Sequence, residues 1–466
     1  MSKKIYITAA IPYVNAAPHI GHALEFIQVD VVARYHRLLG DKVTALTGGD
    51  ENALKNVQAA EKAGLPVQEF IDRNAKLFEE LLKKLDCQFD VFQKGSNLSH
   101  FKSSQELWKR CFEKGDIYKK NYQGLYCVGC EAFYTEEELT NGECAEHPGK
   151  KLELVSETNY FFKLSSYQKQ LIELISTDRL KIYPGFRKNE VLSFLKEPLR
   201  DISVSRSNER AKNWGVPVPN DDSQRMYVWF DALNIYRSGV DSATWPADLH
   251  IIGKGIIRFH TVYWPAFLLS AGLPLPKEVM AHGYLTIDGQ KMSKTIGNIV
   301  DPLAIVGKYG VDALRYYLLR EIPPFDDGDF SYRRLDEIYS SDLANELGNL
   351  VMRVTTLAEK DKLEITSTNH YPLTTIHLFN NFQFNIILED IWKHIKALNK
   401  STDDFAPWKK TPQERSKFLT DSLNEIHKIG YELQPFLPET AEKIIKATTG
   451  KITKISPLFP RLDNSK

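Results

Sequence analysis

Two imidazoles three residues apart, His19 and His22 in "PHIGH", and two ammonium groups three apart, Lys291 and Lys294 in "GQKMSKTIG", are side chains suited to a polyphosphate. An imidazole at the first turn of a helix can donate to phosphate oxygens without a permanent charge, where free backbone N–H groups and the helix dipole already favour anions. A lysine in a glycine-flanked loop is a compact charge on a flexible stem, able to grip the same oxygens. Taken alone, the histidines fit a capping or core role equally well, and the lysines fit a solvated loop. A third constellation is metal-like. Cys127 and Cys130 form a CxxC pair, and Cys144 and His147 follow as a CxxH pair in "YCVGCEAFYTEEELTNGECAEHPGK". That spacing predicts a tetrahedral S₃N shell around one structural zinc ion, with no position left for water. A disulfide knuckle is the alternative, and reducing cytosol disfavours it. The other two of the five cysteines, Cys87 and Cys111, stand in helical patterns and are expected to be buried and inert.

These groups need elements to carry them. "KKIYITAAI" reads as a strand, and residues 19–39 read as a helix between Pro18 and Gly40. "KVTALTGGD" is a second strand, with helices from about Ala53 to Leu85. This βαβ opening predicts an α/β fold with a doubly wound parallel sheet. Strand-like runs resume with "RMYVWFDAL", "LHIIGKGI" and "EVMAHGYLTI", and from about Asp326 the apolar period is that of helices. The expected organisation is therefore a first half of a Rossmann-like catalytic domain over 1–115 and a zinc-knuckle insertion over 116–155. The second half, with the lysine loop, follows over 156–325, and an all-α helical bundle over 326–466. Residues 364–373 read as a loose helix–helix connection.

Composition excludes little. Lys plus Arg and Asp plus Glu both number 60, so total charge gives no sign of nucleic acid, although residues 391–466 carry a modest basic excess. No apolar run reaches the ~18 residues of a membrane span. "MSKKIYITAAIPYV" imitates a signal peptide, but no clear cleavage site precedes Pro18, so a first strand and a cytoplasmic protein are expected.

"PHIGH" followed by "KMSKT" resembles the paired signature of class I aminoacyl-tRNA synthetases. The set "TAAIPYVNAAPHIGH", the zinc knuckle, "YVWFDALNIY", "FHTVYWPAFL", "KMSKTIGNIVDP" and "ELGNLVMR" occurs in the order of the methionyl-tRNA synthetase family, bacterial type with a single knuckle. The resemblance runs from Lys3 to about Lys446. It implies ATP-dependent ligation of methionine to its tRNA (initiator and elongator) through a methionyl-adenylate. It places His19, Gly21, His22, Lys291 and Lys294 on ATP, the histidines and lysines being catalytic, with Mg²⁺ on the pyrophosphate oxygens. The methionine pocket would draw on Ile11, Tyr13, Trp229, Ala232 and Tyr236, and also on Ile256, Phe259, His260 and Trp264. Asp50 would pair with the substrate ammonium. A thioether hydrogen-bonds weakly, so an aromatic slot is the physical answer; the same aromatics fit a core stripe. Asn349 and Arg353, four apart on one helical face, with Trp408 in "FAPWKK", would read anticodon bases by hydrogen bonds and stacking.

Two positions depart from the family pattern. "DENA" has Asn52 and Ala53 where a histidine and a glycine are usual, and "GKGI" has Gly255 where an aspartate near the ATP ribose is usual. Both alter local substrate contacts and leave the phosphate groups intact, so an active enzyme is expected. The competing readings are a catalytically silent tRNA-binding relative and a class I synthetase for cysteine or leucine. No appended tRNA-binding module follows the bundle, and a monomer is expected.

Overall fold

The apolar runs near the N-terminus and around residue 250 align in one six-stranded sheet. A computed structural model of the protein describes residues 2–127, 132–134, 139–145, 149, 151–292, 296–365 and 376–462. The sheet contains β1 (Lys4–Thr8), β2 (Lys42–Gly49), β3 (Val91–Lys94), β4 (Lys181–Tyr183), β5 (Leu249–Gly253) and β6 (Glu278–His282), in the order β3-β2-β1-β5-β6-β4. The pairs β3–β2, β2–β1, β1–β5 and β6–β4 are parallel. Interior strands such as "LHIIG" are buried almost throughout, as expected of parallel strands covered on both faces. Strand order reverses between β1 and β5, which makes the carboxyl ends of those strands the switch point of a Rossmann-like sheet. Gly48 near the end of β2 is required by close approach: a Cβ there would lie 2.0 Å from the Gln93 carbonyl oxygen.

The chain divides into two compact units. The first comprises Met1–Pro18, Lys42–Glu80 and Phe89–Ala281, and the second His19–Asp41, Leu81–Gln88 and His282–Lys466. In the first unit a long antiparallel hairpin, Ile117–Cys127 with Glu153–Phe162, is in register from Ile117↔Phe162 to Tyr126↔Glu153 and carries the cysteine-rich segment at its tip. "RMYVWFDAL" differs from its strand reading. Asp221–Met226 is a strand, and Val228–Ala232 is a short helix buried on every side, so its residues carry no period that distinguishes the two.

The second unit is built around helix α1 (Ile20–Leu38). A small sheet of Leu285–Ile287, Gln290–Lys291 and Gly328–Phe330 stands in the same unit. Asp288 and Gly289, at φ of 48° and 76°, form the two-residue turn of its hairpin, as Asp-Gly favours. Long helices follow, including Val311–Arg320, Asn349–Lys360, Phe384–Phe405 and Pro412–Leu433. The loose connection at 364–373 falls mostly outside the described residues. Among the described residues no helix is long and apolar enough to cross a membrane.

Candidate active site

His19 is the N-cap of α1, and the histidine pair forms a reciprocal capping box. The Gly21 N–H donates to His19 Nδ1 (3.2 Å), and the His19 N–H donates to His22 Nδ1 (3.1 Å). Each Nδ1 therefore accepts, which leaves the proton of each neutral ring on Nε2. The rings lie 3.9 Å apart between centroids. Burial, and then the neighbouring His19 ring, hold the His22 pKa well below the ordinary imidazole value. The capping role and a phosphate-donor role are thus compatible: the cap fixes the tautomer that presents an N–H. No acidic residue occupies the first turn of α1 to offset its positive end.

The lysine segment meets the same turn. The Ile20 N–H donates to the Val300 carbonyl (3.1 Å), and a Cβ on Gly21 would stand 3.8 Å from Met292 Cε. Lys291 ends the Gln290–Lys291 strand and is exposed. Lys294 lies outside the described residues. Met292 and Val300, on either side of the undescribed residues 293–295, thus both lie against the first turn of α1 within the second unit.

The first unit holds an aromatic cluster at the switch point. The Asp50 N–H donates to the Pro12 carbonyl (2.9 Å), and Asp50 bridges Tyr13 in parallel register beyond the ends of β1 and β2. Trp229 stacks on Phe259 at 3.7 Å and meets Tyr13 and His260 edge-on at 6.5 and 6.4 Å. Phe259 and His260 sit in a π-helical turn, Phe259–Tyr263, after β5, a distortion frequent at functional sites. His260 Nδ1 donates to the Ile256 carbonyl (2.9 Å) and its Nε2 accepts from the Tyr236 hydroxyl (2.8 Å). Ile11 and Ile256 pack against the same core, and Ala232 is buried in it. Trp264 is fully buried with Trp245 as ring neighbour (5.8 Å), as a core residue would be. Three buried nitrogens, Trp229 Nε1, Trp264 Nε1 and His250 Nε2, have no hydrogen-bond partner among the described residues.

His250 is a residue the motif reading missed. It lies 4.5 Å from the Tyr236 ring and 5.8 Å from His260, with Nδ1 2.5 Å from Thr8 Oγ1. A polar residue inside the apolar strand "LHIIG" was the available signal. Asn52, which departs from the family pattern, donates its amide to Asp231 Oδ2 (2.7 Å) and the Gly95 carbonyl (2.9 Å).

Burial pushes His260 down to about 4 and His250 well below the ordinary imidazole value. In acid the unfolded chain gains protons that these folded rings refuse. Stability is therefore complete above pH ~6.5 and falls towards pH 4, by about 3 kcal/mol from His260 alone. Urea unfolding near neutrality and near pH 4 measures the loss. A His260→Gln variant should lose less on acidification than the wild type, and equal losses would contradict this account.

Cys127 and Cys144 are both buried, while Cys130 and His147 lie outside the described residues. Among the described residues no cluster of three metal-ligating side chains stands together. Cys87 and Cys111 are buried, their thiols pushed up by desolvation, Cys111 to about 12. In the second unit Asn349 and Arg353 share the helix Asn349–Lys360, which continues from a π-helical stretch, Tyr339–Gly348. The Arg353 guanidinium lies 4.9 Å over the Trp408 ring and donates to Asp403 Oδ1 (2.6 Å). Trp408 is 47% exposed.

The family described as class I tRNA synthetases (M) matches residues 5–355. A methionine–tRNA ligase of Brucella suis biovar 1 is 39% identical over 472 residues, spanning 95% of this chain and 91% of that protein. One of Nostoc sp. is 41% identical, over 95% and 89%. The solved structure of Mycobacterium tuberculosis methionyl-tRNA synthetase in complex with methionyl-adenylate superposes with a TM-score of 0.92 at 37% identity, covering 98% of this chain and all of that one.

Proposed function

We propose a reaction from one premise: the chain belongs to the class I tRNA synthetases (M). It is a methionine–tRNA ligase that uses ATP. In the first step a carboxylate oxygen of methionine attacks the α-phosphorus in line and the bond to the bridging oxygen breaks, giving methionyl-adenylate and pyrophosphate. In the second, a terminal hydroxyl of the tRNA attacks the adenylate carbonyl, and AMP leaves. Neither step needs a protein nucleophile, so catalysis rests on positioning and on charge neutralisation at the phosphates.

The observation that carries the assignment of roles is the contact of the lysine segment with the first turn of α1. His19 and His22 donate from Nε2 to phosphate oxygens, Gly21 leaves the backbone open to the nucleotide, and Lys291 and Lys294 grip from the loop. Mg²⁺ brought with ATP would add charge neutralisation at the pyrophosphate, beside the lysine ammonium groups. Tyr13, Trp229, Tyr236, Phe259 and His260 form the thioether slot with Ile11, Ala232, Ile256 and Trp264, and Asp50 receives the ammonium. Asn349, Arg353 and Trp408 read the anticodon of initiator and elongator methionine tRNA. The protein acts in the cytoplasm as a monomer, with domain boundaries near 115, 155 and 325.

Cys127, Cys130, Cys144 and His147 would hold one structural zinc, a donor set of three thiolates and one imidazole that suits this ion. Purified protein is expected to carry about one zinc per chain by atomic emission, and Cys127→Ser to lose it. Metal-free wild-type protein would remove the assignment.

Methionine-dependent ATP–pyrophosphate exchange tests the ligase. Methionine should support exchange while cysteine and leucine do not, and Lys294→Ala should lose most of it. Exchange with another amino acid alone, or with none, would refute the reading.

A further inference from the structure

Two tethers join the lysine segment to α1, one at each root. The C-terminal one is the Ile20–Val300 backbone bond at 3.1 Å. At the N-terminal root His282 Nε2 lies 3.0 Å from Glu25 Oε2, and His282 Nδ1 lies 2.7 Å from the Gly283 carbonyl oxygen. That carbonyl can only accept, so Nδ1 carries a hydrogen, and the second nitrogen and the carboxyl share a proton between them. Both residues are buried, at 7% and 8% exposure. Glu25 follows His22 by three residues and so stands one turn further along the same face of α1. The root itself is tightly seated, because a Cβ on Gly283 would lie 2.1 Å from the Asp326 carbonyl oxygen. From there the chain runs through Leu285–Ile287 and the Asp288–Gly289 turn to Lys291 and Met292.

We propose that Glu25 and His282 are positioning residues for adenylate formation. Their hydrogen bond fixes the root of the lysine hairpin to the helix that carries the imidazoles, so that ammonium groups and imidazoles meet the same phosphate oxygens. With Val300 tethered as well, the segment is held to α1 at both of its ends. Neither side chain needs to touch substrate. A displacement near 1 Å at reacting groups can lower a rate by ~10²-fold, which sets the scale of the effect. The claim rests on the ligase reading.

The test uses the full chain as wild type, Glu25→Met, Glu25→Gln, His282→Leu and the double variant Glu25→Met/His282→Leu. Methionine has nearly the shape of glutamate and cannot donate, whereas a glutamine amide can donate to Nε2 of a neutral ring and keep the bond. In ATP–pyrophosphate exchange, Glu25→Met and His282→Leu should each lower kcat by about 10- to 100-fold with the methionine KM little changed. Glu25→Gln should recover to within about threefold, and the double variant should be no worse than the poorer single one. Backbone amides of 285–292 should exchange hydrogen faster in Glu25→Met but not in Glu25→Gln, a readout in the free protein that needs no activity. Full kcat in Glu25→Met, a Glu25→Gln variant as poor as Glu25→Met, multiplied effects in the double variant, or unchanged hydrogen exchange would each overturn the positioning role. An inactive wild type would overturn the ligase reading and this role together; an active wild type with equally active variants overturns this role alone.

Discussion

His22→Ala is expected to lower the kcat of methionine-dependent ATP–pyrophosphate exchange by about 10²–10³-fold, the scale of one donor removed from developing oxyanion charge. The methionine KM should stay nearly constant, because the lost bond is one made to phosphate in the transition state. The reasoning starts from the cap. His22 Nδ1 is occupied by the His19 N–H, and the neutral ring can offer only Nε2–H outward. Alanine removes both functions, and the lost cap contributes a destabilisation of about 1 kcal/mol. His22→Asn separates the two. Its amide can accept from the backbone but sits too short to reach as far as Nε2, so a melting temperature near the wild type with exchange still depressed is the expected pattern. Full exchange in His22→Ala would end the proposed role of the pair.

Arg315→Met is expected to be the most destabilising single change, by about 3–5 kcal/mol, read from urea unfolding. Arg315 has no solvent exposure. Its guanidinium pairs with Asp30 at 2.7 Å and donates to the carbonyls of Phe436, Pro435 and Leu85 at 2.8, 3.0 and 3.2 Å. Asp30, equally buried, also takes Arg34 Nε and the Gln88 N–H, both at 2.7 Å. Methionine fills similar space but leaves the Asp30 charge short of a partner and removes the arginine's donors from three buried carbonyls. Arg315→Lys should recover little, since three donors on a point charge cannot reproduce a planar fork. A loss below about 1 kcal/mol would mean that water reaches the pair.

The contrast between these residues shows what a linear reading can reach. His19 and His22 stand out in the sequence because the pair is local, three residues apart at a helix start, where the structure shows them as a reciprocal cap. The sheet was legible where strands are long apolar runs, as in β1, β2 and β5. Arg315 was not, because "VDALRYYLLR" reads like an ordinary amphipathic helix although Asp312 and Arg315 are both buried, and its partners come from three distant stretches. Glu25 and His282 are 257 positions apart and belong to no local pattern. The turn at Phe259–Tyr263 was hidden for another reason. A π-helical turn differs from an α-helical one by a single residue of hydrogen-bond offset, below what apolar periodicity resolves. Val228–Ala232 reads as strand but is helix, because complete burial removes the alternation that separates the two periods. In the aromatic cluster the residues could be named, but only the fold distinguishes Trp229, stacked on Phe259, from Trp264, paired with Trp245.

The carbonyls that Arg315 contacts also bear on how the protein could be shortened. A fragment ending at residue 325 would retain every signature histidine and lysine, yet Pro435, Phe436 and the Thr440 N–H that donates to Asp312 (2.6 Å) would be gone. Truncation would thus strip donors and acceptors from the interior of the very unit that holds α1. The C-terminal helices are structural staples of the unit that holds α1, and a minimal activating fragment would need replacement chemistry for Arg315 and Asp312 before it could be excised.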